Sequence, residues 1–487
     1  MPHSDDAEST KICIGCIGDS FLREEVRESA AEGTCSYCES DDRVISLEDL
    51  ADRIHEVLEA QFNLTSSEPE GYDYYLAKEG RWDRPGDPVA VVIGDVAGLT
   101  EEIAEDIRAY LSDLHGYRAI REGEEDPFGD EALYEEQGPD VYNFKDTWDS
   151  FCQRIKWRSR FFSEYAELDL NSIFGDLDSL KTIRDVSVVR TISPTDDDRF
   201  IYRARVAFTR SELENILKYP ANELGAPPAR LARAGRMNAA GISVFYGAES
   251  ADTGLAEIRA PVGSSVVVGR FEIIRPVRLL DMDALADVYI RGSHFDPDFA
   301  TQRARAAFLS HLVQTISRPV MPNDETFDYL PTQVIAEYLA TKAKPAFDGI
   351  IFSSSQTGGE GRNVVLFNHA SAAEPDDIPS GMRTSLWIRD ADDEDDMSIS
   401  IFEEVPPPTP PEPPRTRDVF GLNVPIDEPA EPPPEDDVAW LGYREPTLRL
   451  DIKSVDAMKV KGIRFNYDRR PVYRSRFNKK DDDEPSF

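Results

Sequence analysis

The chain has 487 residues, of which 40% are hydrophobic, and 93 acidic against 54 basic residues leave it a net charge of −39. At this length a single hydrophobic core has stopped growing, so two or three compact units with connecting segments are expected. So negative a surface repels nucleic acid and anionic membranes, which excludes direct nucleic-acid binding from the expected functions while leaving room for a local basic pocket.

The opening MPHSDDAEST is acidic and polar where a secretory leader needs a basic start and an apolar run. No apolar stretch approaches the roughly 20 residues that span a bilayer, so a cytoplasmic protein without membrane contact is expected. Cys13 and Cys16 are followed, after eighteen intervening residues, by Cys35 and Cys38. Two CxxC turns at that spacing present four thiolates to one tetrahedral zinc ion and leave no open coordination position for catalysis. Structural zinc is the favoured reading of residues 1–45, with redox exchange between the pairs as the alternative. The fifth cysteine, Cys152, stands alone in a helical pattern, and the set points to a reducing compartment.

Residues 46–190 read as a mainly helical domain. ISLEDLADRIHEVLEAQF carries Ser46 as N-cap and apolar residues at Leu47, Leu50, Ile54, Val57 and Leu58, the stripe of an amphipathic helix. Helical patterns return in GLTEEIAEDIRAYLSDLH and DTWDSFCQRIKWRSRFFSEYAELDLNSIF, where Trp148, Phe151, Phe161, Phe162 and Tyr165 read as core or interface. Arg108 and His115, seven apart, share a side of the first of these helices, which Gly116 is expected to end. Arg-x6-His resembles the widest form of the motif of the helical ribonucleases called HEPN, but two residues in acidic surroundings are better read as a solvated helix face.

From 191 to 375 short β-rich runs punctuated by Gly and Pro predict a separate α+β domain. RFIYRARVAF, ISVFYGA, SSVVVGRFEIIRPVRLLDM, FDGIIFSSS and RNVVLFNH are strands. SELENILKY, ADTGLAEIRA, RARAAFLSHLVQTIS and PTQVIAEYLATKAK are helices. Residues 376–440 are acidic, then proline-rich, with twelve prolines between 405 and 435, and are expected to be flexible and to act as a spacer. Residues 441–477 alternate like a β-hairpin that packs back on the body, and 478–487 read as a frayed tail.

The chemistry concentrates in GRMNAAGISVFYGAESADTGLAEIR, residues 235–259. A carboxylate such as Glu257 stabilises an oxocarbenium-like transition state when a glycosidic bond to a cationic heterocycle breaks. An aromatic face such as Tyr246 holds such a heterocycle, and an arginine such as Arg236 grips phosphate in a bidentate way. Ser354, in the glycine-rich loop after a strand, suits a nucleophile-orienting or phosphate-binding hydroxyl. Taken singly, each has a plain structural reading: a core aromatic, a solvated glutamate, a loop-pinning arginine, a polar turn.

Taken together these residues resemble the RES-domain family. Its motif runs from Gly-Arg-(Trp or Met)-Asn through a Tyr to an Ala-x-Glu helix, and here Arg236 precedes Tyr246 by ten residues and Tyr246 precedes Glu257 by eleven. DGIIFSSSQTGGEGRNVVLF resembles the family's later motif, with Ser354 as its serine. The cysteine pairs and FCQRIKWRSRFF resemble the N-terminal extension of longer members. The resemblance implies an ADP-ribosyltransferase-like split β-sheet and a toxin or defence enzyme that consumes NAD by phosphorolysis, with inorganic phosphate, or by hydrolysis. It also implies an antitoxin partner with a helix-turn-helix domain. Carried over, Arg236 binds phosphate, Tyr246 holds the nicotinamide end, Glu257 supports the oxocarbenium ion and Ser354 places phosphate or nucleophile. Arg203, Arg205, Asn238 and Ser355 complete the implied ligand-binding set. ADP-ribosyl transfer to a macromolecule and a non-catalytic NAD-binding or ADP-ribose-binding module are the alternatives. Met237 stands where the family often has Trp, a change in the pocket wall that touches none of the four polar roles.

Overall fold

The computed structural model describes residues 9–69, 71–160, 163–317, 324–379, 381–389, 398–407, 416–419, 422–425, 444–462, 470 and 472. The chain begins with β1 (Lys11–Cys13), α1 (Ser20–Ser29), β2 (Ala31–Thr34) and β3 (Asp41–Ser46), whose strands form a small antiparallel sheet in the order β1-β3-β2. The next helix, α2 (Leu47–Gln61), starts where expected: the Ser46 hydroxyl accepts from the Asp49 amide, and Glu48 and Asp49 occupy its electropositive first turn. Then come β4 (Phe62–Leu64), α3 (Asp73–Lys78), β5 (Asp87–Pro88), α4 (Val89–Ala97), α5 (Glu101–Glu122) and β6 (Leu133–Glu136).

One core joins Ile12, Ile17 and Leu22 of the cysteine unit to Leu50 and Ile54 of α2, Ile93 of α4, and Ile107 and Leu111 of α5. The cysteine unit therefore shares its core with the helices, where the sequence reading divided them at 45/46. So small a segment gains more by burying its few apolar residues against a neighbour than by closing a core of its own. Helix α5 runs through Gly116, which the sequence reading took as its end. A Cβ there would lie 2.5 Å from an Asp126 carboxylate oxygen, so the glycine serves close approach. The helix ends instead at Gly123, in the left-handed region with φ +83°.

Two further helices, α6 (Tyr142–Trp157) and α7 (Glu164–Phe174), pack the other way. Phe151, Ile155, Leu170 and Ile173 are buried with Leu280, Leu309, Leu339, Ile350 and Val365, so residues 141–190 share a core with the domain that follows, not with the N-terminal helices. This moves the expected boundary at 190/191. Helical periodicity reports which side of a helix is apolar and not which neighbour covers it.

That following domain carries β7 (Val189–Ile192), β8 (Phe200–Ala207), α8 (Arg210–Lys218), α9 (Pro220–Leu224), β9 (Phe245–Ala248), α10 (Ala251–Glu257), β10 (Ser265–Ile273) and β11 (Val277–Asp281). It continues with α11 (Met282–Ala286), α12 (Pro297–Ser317), α13 (Glu325–Asp328), α14 (Leu330–Thr341), β12 (Gly349–Ser353) and β13 (Arg362–Leu366). Within the stretch expected to be flexible, β14 (Arg383–Arg389) pairs with β15 (Ser398–Glu404), and β16 (Thr416–Val419) pairs with β17 (Leu422–Pro425). The β-branched and aromatic runs SLWI and SISIF, the second alternating, explain the first of these hairpins, which proline counting overlooked. The expected hairpin at 441–477 is, over the described residues, one strand, β18 (Leu448–Lys459), bound to β10. The runs 390–397, 408–415 and 426–443, the second half of that hairpin and the tail at 478–487 lie outside the described residues.

The main sheet has eight strands in the order β18-β10-β8-β9-β13-β12-β11-β7, antiparallel except for β11 beside β12. Consecutive apolar residues cover both of its faces. Leu279, Ile351 and Val364 point into one core with α8, while Leu280, Ile350 and Val365 point into the other with α6, α7, α12 and α14. The sheet is nearly split: β8 and β9 meet through the single pair Tyr202 and Ala248, whereas β8 pairs with β10 along eight residues. At that joint Gly247 is obligatory, because a Cβ would fall 2.3 Å from Ile201 Cγ2. Diverging neighbours leave a crevice, and the candidate site lies in it.

Candidate active site

The cleft at the split measures about 380 Å³ and is lined from β8 by Tyr202 and Arg203, from the loop before β9 by Arg236 and Met237, and from β9 by Tyr246. Glu257 and Arg259 at the end of α10, Glu325 and Tyr329 at α13, and Ser353, Ser355, Gln356 and Asn363 around the β12–β13 loop complete it. Three arginines against two glutamates make this wall cationic inside a chain of net charge −39. A concave cationic wall in an acidic protein favours anionic ligands there.

The arginine loop is a tight turn whose sequence is dictated by its contacts. Gly235 and Asn238 close it through their backbones, 3.0 Å apart from N to O, and a Cβ on Gly235 would lie 2.7 Å from both Asn238 Oδ1 and Tyr246 Oη. The Tyr246 hydroxyl accepts from the Met237 amide at 3.0 Å and donates to Asn238 Oδ1 at 3.0 Å. Asn238 Nδ2 reaches the carbonyls of Arg233, Ala239 and Ile242. From α14, Thr332 and Gln333 donate to the carbonyls of Arg236 and Gly235 at 2.6 and 2.9 Å. With its backbone fixed from two sides, Arg236 extends over the Tyr329 ring, 5.5 Å from its centroid. Burial pushes the Tyr246 hydroxyl up to about 12, so it stays a neutral donor.

Glu257 is the last residue of α10, a helix started by the Ser250 hydroxyl accepting from the Thr253 amide. Its Oε1 accepts from Ser354 Oγ at 2.5 Å and from Asn363 Nδ2 at 2.7 Å, and among the described residues nothing binds Oε2. Ser354 is fully buried; its amide donates to the Gly361 carbonyl at 2.7 Å, which folds the glycine-rich loop back on itself. Beside it, Ser353 donates through Oγ to Asp283 at 2.8 Å, and Arg362 binds Asp281 and Asp283. The carboxylate is thus held at one oxygen by Ser354 and Asn363.

Arg203 was the weaker expectation and has the stronger geometry. Its guanidinium lies 5.0 Å from the Phe245 ring centroid, and its Nη1 is out of solvent without a hydrogen-bond partner. Burial and the like charge of Arg205 pull its pKa down to about 10, so it remains charged at neutral pH. An unpaired donor out of water costs free energy that an anionic ligand would recover.

Of the residues singled out from sequence, Arg236, Tyr246, Glu257, Arg203 and Ser355 line the cleft, and Ser354 stands directly behind Glu257. Two do not arrive. Arg205 is exposed and tied to the Glu223 side chain and carbonyl on α9, because the edge of β8 there meets α9 and not the cleft. The Asn238 amide is spent on its own loop, so it staples the turn where a ligand contact was expected. Sequence reading missed Asn363, Arg259, Gln356, Glu325 and Tyr329. Asn363 alone carried a signal, a polar residue inside the otherwise apolar strand RNVVLF.

The four cysteines converge, all four Sγ atoms lying within 4.8 Å of one another. Cys13 lies 3.6 Å from Cys16 and 3.5 Å from Cys38, and Cys16 lies 4.0 Å from Cys35. Zinc–sulfur bonds of about 2.3 Å set tetrahedral edges of about 3.8 Å, so the set fits one such ion. The other polar pair, Arg108 and His115, faces inward and not solvent. Arg108 is buried against Glu105, Asp130 and the Phe128 carbonyl, and the His115 ring lies tilted against His55, 4.3 Å between centroids.

A family model described as RES domain matches residues 201–387, and one described as HEPN/RES N-terminal domain 1 matches residues 28–168. No curated protein and no solved structure matches the chain. Among the described residues, no helix is long and apolar enough to cross a membrane.

Proposed function

The chain belongs to the RES-domain family, in the form with an N-terminal HEPN/RES domain, and from that premise we propose that its cleft breaks the nicotinamide–ribose bond of NAD. The RES domain links the chain to NAD-related enzymatic activity. The observation that supports this reaction is the Glu257 carboxylate, fixed at Oε1 by Ser354 and Asn363 and open at Oε2, in a cleft that also presents Arg203 and Arg236.

In this reading the arginines take the diphosphate, as planar donors matched to phosphate oxygens. The Tyr246 ring lies along the nicotinamide end, its hydroxyl occupied in holding the arginine loop. As the C1′–N bond breaks, its electron pair neutralises the pyridinium nitrogen and positive charge develops on the ribose. Glu257 faces that charge through its free oxygen without having to reorganise. Ser354 and Asn363 are positioning residues that keep the carboxylate in place. Water or inorganic phosphate then captures the ribosyl cation, giving ADP-ribose or its 1″-phosphate. A structural zinc ion on Cys13, Cys16, Cys35 and Cys38 completes the N-terminal core. A toxin or defence effector, restrained by a partner protein, is the biological setting.

Incubating the full chain with NAD, with and without inorganic phosphate, and resolving the products tests this. Free nicotinamide is expected in one or both conditions, with ADP-ribose 1″-phosphate formed only when phosphate is present. NAD left intact throughout would refute the proposal.

A further inference from the structure

One cleft residue departs from what its backbone favours. Arg259, two positions past Glu257, has φ +46°, the left-handed region in which a glycine sits without penalty and an L side chain does not. Non-glycine residues held in such conformations cluster at functional sites, where the side chain returns what the backbone loses. Arg259 lines the cleft, is exposed, and has no carboxylate partner among the described residues, although the chain has 93 acidic side chains. Among the described residues its one side-chain hydrogen bond is to a neutral group: Nε donates to Gln356 Oε1 at 3.0 Å.

That bond is the second of two parallel rungs. Glu257 meets Ser354 and, two residues on along both segments, Arg259 meets Gln356, whose own amide donates to Ser354 Oγ at 3.2 Å. The first rung is buried at Ser354 and holds the carboxylate. The second is exposed at the mouth and joins a full positive charge to a neutral amide, an exchangeable pairing that any phosphate oxygen outcompetes.

We infer that Arg259 is a further anion-binding residue of the cleft, whose guanidinium leaves Gln356 to take a phosphate group of the dinucleotide. The inference rests on the NAD reading of the same site. It makes the ligand-binding set three arginines on three separate segments: Arg203 in β8, Arg236 in the loop before β9, and Arg259 after α10. A ligand bridging them needs at least two anionic groups, which selects dinucleotides over nucleosides.

The test is equilibrium binding of ADP-ribose, which keeps the diphosphate and has no nicotinamide bond to cleave, to the full chain by calorimetry at two salt concentrations. Arg259→Gly, which suits the backbone, is expected to weaken binding at least tenfold and to reduce its salt dependence, while the melting temperature moves by less than about 3 °C. Arg259→Lys is expected to fall between. Gln356→Ala is expected to tighten binding, because the guanidinium no longer has to leave a partner. Binding by Arg259→Gly within twofold of wild type, or equal weakening by Arg259→Gly and Gln356→Ala, would make Arg259 a loop pin and overturn the inference. NAD consumption by the wild type is measured alongside. Arg259-dependent binding without NAD cleavage refutes the reaction and leaves this site standing, a wild-type chain that consumes NAD but binds no ADP-ribose overturns the inference and leaves the reaction standing, and a chain that does neither refutes both.

Discussion

Arg108 is buried and Arg203 is half-buried with its Nη1 out of solvent, and they mark opposite uses of a shielded arginine. Arg108, in the N-terminal core, binds Glu105, Asp130 and the Phe128 carbonyl, and the hydrogen bonds to Glu105 hold its pKa above the ordinary value. Arg203, in the cleft, has an aromatic ring beneath it, a second arginine nearby and, among the described residues, no carboxylate partner, and burial pulls its pKa down to about 10. A buried charge surrounded by its counter-charges is structural. One kept without them is a site awaiting a counter-charge from elsewhere, at a standing cost to stability.

The largest effect expected on the cleft side is from Glu257→Gln. Shape is kept, the charge facing the ribosyl cation is lost, and NAD consumption should fall by about a hundredfold or more with an unchanged melting curve. Retention of more than half the activity, measured as nicotinamide release, would remove Glu257 from the chemistry. On the core side the largest expected effect is from Cys35→Ser, or from stripping the metal with a chelator. Cys13 and Cys35 are buried beside Val44, and Ile12 and Ile17 sit in the helical core, so loss of the ion should destabilise that core by several kcal/mol. Metal analysis of the purified chain with the denaturation midpoint checks it, one zinc per chain being expected.

The two arginines give the next prediction, and it must run in opposite directions. Arg108→Met leaves Glu105 and Asp130 able to turn to water but strands the Phe128 carbonyl, which should cost about 1–3 kcal/mol and leave NAD affinity unchanged. Arg203→Met removes an uncompensated buried charge, so stability should hold or rise by about 1 kcal/mol while ADP-ribose binding weakens at least tenfold. Urea denaturation and calorimetry on both variants make the check. Parallel losses of stability in the two would dissolve the distinction.

Much of the cleft was legible because its parts are local. The turn Gly235 to Asn238, the strand ending near Tyr246, the helix ending at Glu257 and the strand before Ser354 each follow from short-range rules of turn chemistry, alternation and capping. What brings them together is not local. The near-split of the sheet depends on β8 and β9 touching at one pair while β10 holds the far side of β8, and no pattern within either strand encodes that. Arg205 shows the limit: it sits two residues from Arg203, the same face by alternation, yet α9 captures it before it reaches the cleft. The Arg259 backbone conformation depends on the closing turn of α10, and Tyr329 arrives from the turn between α13 and α14, some seventy residues beyond Glu257. Asn363 was readable as a polar residue in an apolar strand, a sign that it meets something polar, without saying what.

The smallest effect expected lies in the N-terminal core and separates its histidines from its arginine. Arg108 is compensated and should not titrate, but His115 lies tilted against His55 with Nε2 out of solvent and, among the described residues, unpartnered. Burial first, and then the neighbouring His55, hold its pKa below the ordinary value, against the pull of Glu59, Asp52 and Asp126. For a base the sign follows directly: the unfolded chain takes up a proton near pH 6.5, the folded chain only lower, so the unfolded state binds more protons in between. Stability from this group is full above about pH 6.5 and is lost as the pH falls below it. His294, half-buried against Glu136 and Arg303, has the same sign, so the wild-type slope contains both. Urea denaturation of His115→Gln at pH 7.5 and pH 5.5 isolates the share of His115. The variant should lose less stability on acidification than the wild type does, and an equal loss would mean that His115 is protonated in the folded core as readily as in the unfolded chain.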